Sequence, residues 1–241
     1  MSKKKILIYL GHPAHFYIYK NVIPQLKNNG HSVEILIKKK DVLEQLLINA
    51  NYPYHNILNE ERKNSKISMV WTMVKRFWRI SMFCFKYKPD ILIGTSIENS
   101  YVGKLLNIPV ININEDDAEV VPLYAKLSYP LAKEILTPIV CNSGKWNEKA
   151  IKYNSYHELA YLHPNHFTPD IEVANKYIDV NSTYFIIRFA KLTAHHDTGI
   201  KGINSEIAQS LIDILRPHGQ IYITSERELE PNFEQYRIKI D

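Results

Sequence analysis

Short, continuous apolar runs that alternate with helical stretches constrain the fold of this chain more than any other feature. The runs lie at residues 6–10, 32–37, 55–58, 90–94, 110–113 and 135–140. Strands without polar alternation are typical of a parallel sheet that is covered on both faces. Helical periodicity lies between them, at residues 16–29, 41–50, 67–88, 99–107, 118–134 and 145–153. This order predicts an α/β domain built from βαβ units.

A change in composition divides the chain near residue 160. Residues 161–181 contain the polar stretch 163–170, whose Pro and His residues are typical of a linker. The α/β order then resumes, with two strands and a helix predicted at 183–189, 220–224 and 205–215. We therefore expect a complete Rossmann-like domain over 1–160 and the beginning of a second one over 182–241, because so few elements cannot close a core.

Composition excludes several function classes. The chain is 45% hydrophobic and 23% charged, and no uncharged apolar run is long enough to cross a bilayer, so we expect a cytoplasmic protein. The net charge of +5 suits an anionic ligand or membrane surface but gives no argument for nucleic acid. Cys84 and Cys141 have no CxxC partner, which argues against a zinc site or a disulfide framework. We expect no cofactor and no divalent metal.

Polar residues follow the first predicted strand, at the edge where open parallel sheets bind ligands. Gly11 allows a sharp turn, and the start of the helix after Pro13 offers backbone N–H groups to a phosphate or carboxylate. His12 and His15 can add hydrogen bonds or acid–base chemistry. The alternative is that this loop needs Gly and Pro for its geometry alone. No GxGxxG motif occurs, which excludes the dinucleotide fingerprint.

The loop after the fourth predicted strand, 95–100, is rich in hydroxyl and amide groups. Thr95, Ser96 and Glu98 are candidate substrate-binding residues. The alternative is that this loop caps the next helix, because Ser is a favoured N-cap residue.

Three consecutive acids, Glu115, Asp116 and Asp117, follow the fifth predicted strand. A helix cap explains one acid but not three. Repulsion among the three predicts a raised pKa for at least one of them. Glu115 is nearest the strand and is our candidate general base.

The second unit repeats this pattern in a glycine-bounded loop after its first strand. A histidine pair beside a carboxylate can orient a phosphate or move a proton. Adjacent histidines point in different directions, so a shared metal is disfavoured. Candidate contacts to substrate here are His195, Asp197, Lys201, Gly202, Ser225 and Glu226, and His196 is a candidate catalytic residue.

The predicted helix over 67–88 combines aromatic with basic side chains. At about 100° per residue, Lys75, Arg76, Arg79 and Lys86 fall within an arc of about 100°. Such a helix, Ile67 to Lys88, can make peripheral contact with an anionic membrane. The alternative is a wide apolar stripe that faces the core and has a solvated basic edge.

Several segments together resemble a known family. They are residues 6–15, 20–23, 30–33, 158–170, 188–189, 196–197, 201–202 and 223–226. Over essentially the whole chain these residues resemble the prokaryotic family called domain of unknown function three-five-four. Members of that family look like two-domain GT-B proteins, related to nucleotide-sugar transferases and to UDP-N-acetylglucosamine 2-epimerases, and they accompany surface-polysaccharide genes.

The resemblance implies two Rossmann-like domains with a nucleotide sugar in the cleft between them. Residues 1–160 would form the acceptor side and 182–241 the nucleotide-sugar side. Family members continue with a segment that holds the nucleotide, so the resemblance also implies a C-terminal truncation. A chain that ends at Asp241 is then expected to be inactive alone.

The resemblance also bears on the reaction. Epimerase relatives carry acids after the fourth and fifth strands and a histidine in the second domain. Here Glu115 matches the second acid and His195 or His196 the histidine, but Thr95 and Ser96 stand where the first acid would be. The missing acid favours a glycosyltransferase of surface polysaccharide or glycolipid biosynthesis over a UDP-N-acetylglucosamine 2-epimerase.

The mechanism predicted is inverting transfer from a nucleotide sugar to a saccharide or lipid-linked acceptor. Glu115 or His15 would be the base, and the loop 195–202 with Ser225 would hold the donor diphosphate. A non-catalytic carbohydrate-binding or assembly protein on the same scaffold is the third alternative.

Overall fold

The computed structural model describes residues 2–38, 42–58, 66–190 and 202–239, without the side chains of 66–70. Its internal contacts divide the chain into two compact units, residues 1–167 and 168–241. The boundary lies inside the predicted linker, which in the structure contains short helical segments. In the described part of the chain, no helix has both the length and the apolar character needed to cross a membrane.

The first unit contains a parallel sheet of seven described strands in the order β3-β2-β1-β4-β5-β6-β7. The strands are β1 Lys5–Leu10, β2 Ser32–Lys38, β3 His55–Leu58, β4 Ile91–Gly94, β5 Val110–Ile113, β6 Glu134–Pro138 and β7 Ala150–Tyr153. The helices are α1 Pro13–Lys20, α2 Val22–Asn28, α3 Leu43–Asn49, α4 Lys66–Tyr87, α5 Ile97–Leu106, α6 Pro122–Ser128 and α7 Leu159–Leu162.

Strand β1 shows why its apolar run is continuous. Ile6, Ile8 and Leu10 pack into a core on one face of the sheet, where α1 and α3 contribute side chains. Leu7 and Tyr9 pack into a second core on the other face, with residues of α4 and α5. Because both faces are covered, every position from Ile6 to Leu10 is buried, which confirms the predicted architecture.

The strand order reverses between β1 and β4. Strands β2 and β3 extend from one side of β1, and β4 to β7 extend from the other. Such a reversal opens a crevice beyond the carboxyl ends of the two central strands, where open α/β sheets bind ligands. The loops after β1 and β4 therefore border this crevice.

Three helical predictions in the first unit differ from the structure. Residues 145–153 form a 3-10 helix and then β7, a half-exposed edge strand without the continuous apolar run of the central strands. The helix predicted over 118–134 is limited to Pro122–Ser128. The first helix begins earlier, at Pro13, and breaks at Asn21, so that Pro24 lies in the first turn of α2, where its missing N–H costs little.

The second unit contains α8 Ile171–Asn175, α9 Ser205–Leu215 and the parallel strands β8 Tyr184–Phe189 and β9 Gln220–Ser225. Its buried side chains form one small core. The core includes Ile187 and Phe189 of β8, Ile212 of α9, and Leu229 and Phe233 beyond β9. The segment after β9 therefore supplies apolar residues that the two strands and one helix lack.

Candidate functional site

The loop after β1 is organised by its two histidines. His12 is the N-cap of α1, and its Nδ1 accepts a hydrogen bond from the Ala14 N–H at 3.2 Å. The Nδ1 of His15 accepts from the Gly11 N–H at 3.1 Å, and the two imidazole rings lie 6.1 Å apart. Because each Nδ1 accepts, the neutral form of each ring carries its proton on Nε2. Both histidines can therefore donate a hydrogen bond from Nε2.

Gly94, at the end of β4, is the glycine that this edge of the sheet requires. Its φ of 143° lies in a region that L-residues rarely adopt, and an added Cβ would lie 2.6 Å from the backbone oxygen of Tyr9. The backbone of Gly11 has no positive φ. The chain bends at His12, but this turn does not require the left-handed conformation that favours glycine at position 11. The close approach of β1 and β4 explains the glycine at 94.

The hydroxyl groups after β4 are used inside the protein. Ser96 is buried, caps α5 by accepting from the Asn99 N–H at 3.4 Å, and donates to Oε2 of Glu98 at 2.7 Å. Thr95 Oγ1 donates to the backbone carbonyl of Ile113, which connects the ends of β4 and β5. The capping alternative therefore holds for Ser96.

Glu98 is buried and forms an ion pair with Arg76 of α4. The side chains of Glu98 and Arg76 are 7% and 18% exposed, so the pair is largely removed from water. Tyr9 lies close enough for both charges to act on it, and burial raises its pKa to about 12. The carboxylate of Glu98 is thus held by the α4 helix, away from the solvent side of the crevice.

Glu115, directly after β5, is half-exposed and lies against a buried histidine. Its Oε2 lies 3.0 Å from Nδ1 of His157, whose ring stacks parallel to Tyr153 at a centroid distance of 6.2 Å. The contact with His157 lowers the pKa of Glu115, and the electrostatic influence of His157 and His15 lowers it further against partial burial. The predicted rise in pKa is therefore wrong for Glu115, because histidine side chains are its electrostatic partners.

Other residues of the acidic segment form hydrogen bonds within the protein. Asp117 accepts from the backbone N–H of Asn142 at 2.7 Å, which ties the loop after β5 to the loop after β6. The buried Asn114 donates to the Asp116 carbonyl and to the hydroxyl of Tyr129. The bond to Asn142 gives the carboxylate of Asp117 a structural role, whereas the bond from Asn114 uses only the backbone of Asp116. Within the described ranges, no three His, Cys, Asp or Glu side chains are arranged to hold a metal ion.

An apolar cavity of about 500 Å³ adjoins the Glu115 pair on one face of the sheet. Ile8, Ile93 and Ile113 form part of its wall, and Tyr19 and His157 also line it. His157 therefore lies between this cavity and the carboxylate of Glu115.

The second unit holds the remaining candidates. Ser225 Oγ donates to the Arg227 carbonyl at 2.6 Å and accepts from the Arg227 N–H at 3.2 Å, a local turn that occupies its hydroxyl. Glu226 forms an exposed ion pair with Arg188 of β8. Gly202 is exposed. The predicted residues His195, His196, Asp197 and Lys201 lie outside the described residues.

His157 and Arg76 are the partners that the sequence analysis missed as site residues. Arg76 was counted among the membrane-facing cations, although the structure places it against Glu98. His157 follows β7, and because 145–153 was predicted as a helix, the residues after it were not examined as a strand end. Residues 150–153, Ala-Ile-Lys-Tyr, show no alternation of apolar and polar side chains, so no sequence signal indicated this strand.

Sequence comparison assigns a family to the chain. Residues 4–160, more than half of its length, match the model of the family described as "Protein of unknown function (DUF354)". The chain belongs to this family. The resemblance stated from the sequence motifs is thereby confirmed. No curated protein matches the chain.

Three solved structures with similar folds share little sequence with this chain. UDP-GlcNAc 2-epimerase from Neisseria meningitidis, bound to UDP-GlcNAc, is 17% identical with a TM-score of 0.69, over 96% of this chain and 68% of that chain. The S. aureus MnaA–UDP co-structure is 13% identical with a TM-score of 0.64, over 97% and 65%. A glycosyltransferase from Rickettsia africae is 14% identical with a TM-score of 0.53, over 95% and 69%. These matches confirm the GT-B-like α/β fold.

Proposed function

We propose that this DUF354 protein transfers a sugar from a nucleotide sugar to an acceptor hydroxyl, with Glu115 as the general base. The observation that carries the proposal is the half-exposed carboxylate of Glu115, held 3.0 Å from His157 at the end of β5. A saccharide or lipid-linked saccharide is the acceptor class proposed. The structural neighbours include an epimerase bound to UDP-GlcNAc, a complex with UDP and a glycosyltransferase, which supports a nucleotide sugar as donor.

In this mechanism the acceptor hydroxyl gives its proton to the Glu115 carboxylate as its oxygen attacks the anomeric carbon. The bond from that carbon to the diphosphate breaks, and its electron pair leaves with the nucleoside diphosphate. Glu115 is ionised at neutral pH, as a base must be, and its lowered pKa extends that state to more acidic solution. His157 acts as a positioning residue, because it contacts Glu115 and is itself buried.

The hydrogen bonds of the first loop favour Glu115 over His15 as the base. The Nδ1 of His15 already accepts from the Gly11 N–H, so its neutral ring offers a donor at Nε2. We therefore propose His12 and His15 as donors to substrate oxygen atoms, beside the N-terminus of α1. The roles of 195–202 and Ser225 toward the diphosphate stay predictions.

Epimerisation is the second candidate, because several of the solved structures with similar folds are UDP-GlcNAc 2-epimerases. That chemistry requires a second acid near the sugar ring. Thr95 and Ser96 occupy the place of the first acid, and Glu98 is buried against Arg76. Epimerisation would therefore have to use Asp116 as its second acid. A non-catalytic scaffold is the third candidate function.

The test is to incubate the protein with UDP-, GDP-, CMP- and dTDP-sugars, with and without a lipid-linked acceptor. Release of nucleotide that depends on acceptor supports transfer. A new sugar stereoisomer that is still attached to nucleotide would show epimerisation instead of transfer. The absence of both turnover and binding would favour the non-catalytic scaffold. Glu115→Gln should lower turnover by roughly 10²–10⁴-fold. The matched control Glu119→Gln, an exposed acid of the same segment, should leave turnover unchanged.

His157→Phe separates positioning from catalysis. The variant keeps a ring beside Tyr153 but removes the imidazole whose contact lowers the pKa of Glu115. The pKa of Glu115 should rise toward its ordinary value, so activity should be lost at a higher pH as the solution is acidified. If kcat/KM falls at the same acidic pH in His157→Phe as in the unchanged protein, the result would argue against Glu115 as the base.

A further inference from the structure

The long helix α4 carries two apolar stripes, and only one of them is covered. Ile80 and Cys84 are buried in the core beside β1 and β4. On the opposite side, Trp71, Trp78 and Phe85 are 61%, 65% and 71% exposed. The core-facing alternative therefore accounts for Ile80 and Cys84 but not for these exposed aromatic residues.

The exposed residues form a narrow arc. At about 100° per residue, Trp71, Val74, Trp78, Met82 and Phe85 fall within about 80° of one another around the helix axis. Their spacing of three or four residues places them in one row along the helix. A contiguous patch of exposed apolar side chains often marks an interaction site, because contact between water and apolar side chains costs free energy.

Three cations lie beside this row. By the same helical geometry, Lys75, Lys86 and Arg79 fall about 20°, 40° and 60° beyond the edge of the apolar arc. Arg79 donates to the Ile57 carbonyl and keeps its charge, whereas Arg76 lies on the other side with Glu98. The stretch 66–88 contains no Asp or Glu. An apolar row rich in Trp and Phe with a purely basic border complements the acyl and headgroup layers of an anionic bilayer.

We propose that α4 lies in the plane of an anionic membrane surface, with Trp71, Trp78 and Phe85 inserted among the lipids and Lys86 and Arg79 at the phosphates. The charge pattern decides against a second copy of this chain as the occupant. A two-fold contact through α4 would bring the same basic border of two copies together with no acid of that helix to neutralise it. This inference depends on neither transfer nor epimerase chemistry.

The experiment is co-sedimentation of the protein with vesicles of phosphatidylcholine alone or mixed equally with phosphatidylglycerol. We expect binding to the mixed vesicles only, weakened by salt. The emission of the tryptophans, of which Trp71 and Trp78 are exposed, should shift to shorter wavelength on binding. The triple variant Trp71→Ala, Trp78→Ala, Phe85→Ala should lose at least about tenfold in affinity. Lys86→Gln should lose roughly fivefold, the effect of one cation near an anionic surface.

A matched triple variant controls for the loss of exposed apolar area. Leu105→Ala, Leu123→Ala and Val140→Ala remove side chains of similar exposure from other elements, and they should bind vesicles as the unchanged protein does. All six positions are exposed, so we expect both triple variants to fold, which circular dichroism would check. Absence of binding to the mixed vesicles, or equal binding by the α4 triple variant, would overturn the proposal. Self-association in sedimentation velocity that the α4 triple variant abolishes would overturn it in favour of a dimer.

Discussion

The segments that follow β4 and β5 each hold a carboxylate paired with a basic side chain, yet the two pairs have different properties. Glu98 and Arg76 are largely removed from water, and the second oxygen of the carboxylate accepts from Ser96. Glu115 is half-exposed, while its partner His157 is buried. A position at the end of a parallel strand is therefore not enough to make a site. The buried Glu98–Arg76 pair holds α4 against the sheet, whereas the carboxylate of Glu115 is accessible from solvent.

The difference predicts opposite responses to mutation. Removing one partner of a buried pair leaves an uncompensated charge in a poorly solvated place, so stability falls. Removing the half-exposed acid costs little stability because water already screens it, so the loss should appear in activity.

The largest effect on stability is expected from Arg76→Gln. The substitution leaves the buried Glu98 carboxylate without its cation, and we expect the free energy of unfolding to fall by about 3–5 kcal/mol. Urea denaturation at neutral pH measures this. Lys86→Gln, at an exposed position of the same helix, is the control and should change stability by no more than about 0.5 kcal/mol. Equal losses for the two variants would contradict a structural role for the buried pair.

A smaller loss is expected from Gly94→Ala, which tests the close approach of β1 and β4. The new Cβ would meet the Tyr9 carbonyl oxygen, and the φ of 143° is strained for alanine, so stability should fall by about 1–3 kcal/mol. Gly11→Ala is the matched control in the neighbouring loop. Its Cβ would lie 3.3 Å from the Tyr9 ring with no positive φ, and thermal unfolding should show a smaller loss there.

The smallest effect concerns Glu115 and acid pH. Its pKa is lower in the folded protein than in the unfolded chain, so its ion pair contributes stability above the unfolded pKa of about 4.3. That contribution disappears as the pH falls through the folded pKa. Since Glu115 is half-exposed, we expect only a few tenths of a kcal/mol. Denaturation of Glu115→Gln should match the unchanged protein below this range and fall slightly short of it above. A larger gap at low pH than at neutral pH would show that the sign is wrong.

The site residues show how far sequence reasoning extends. Glu115 was predicted as a site residue because an acid after a buried strand falls at the ligand-binding edge of any parallel sheet, and its role stays a proposal. Glu98 and Ser96 satisfied the same rule, but their environment depends on Arg76, a residue twenty or more positions earlier on a helix that packs beside them. His157 could not be identified, since β7 is an edge strand whose polar side chains hide its period.

The sequence by itself determined the α/β order, the parallel sheet and the family, because continuous apolar runs and turn residues are local signals that need no partner to be recognised. It also placed an acidic segment after β5 and a basic, aromatic helix over 67–88. Only the tertiary structure decided which acid is buried, which histidine pairs with Glu115, and which apolar stripe of α4 faces water. Burial and ion pairing join residues that are distant along the chain, and no local pattern records those distances.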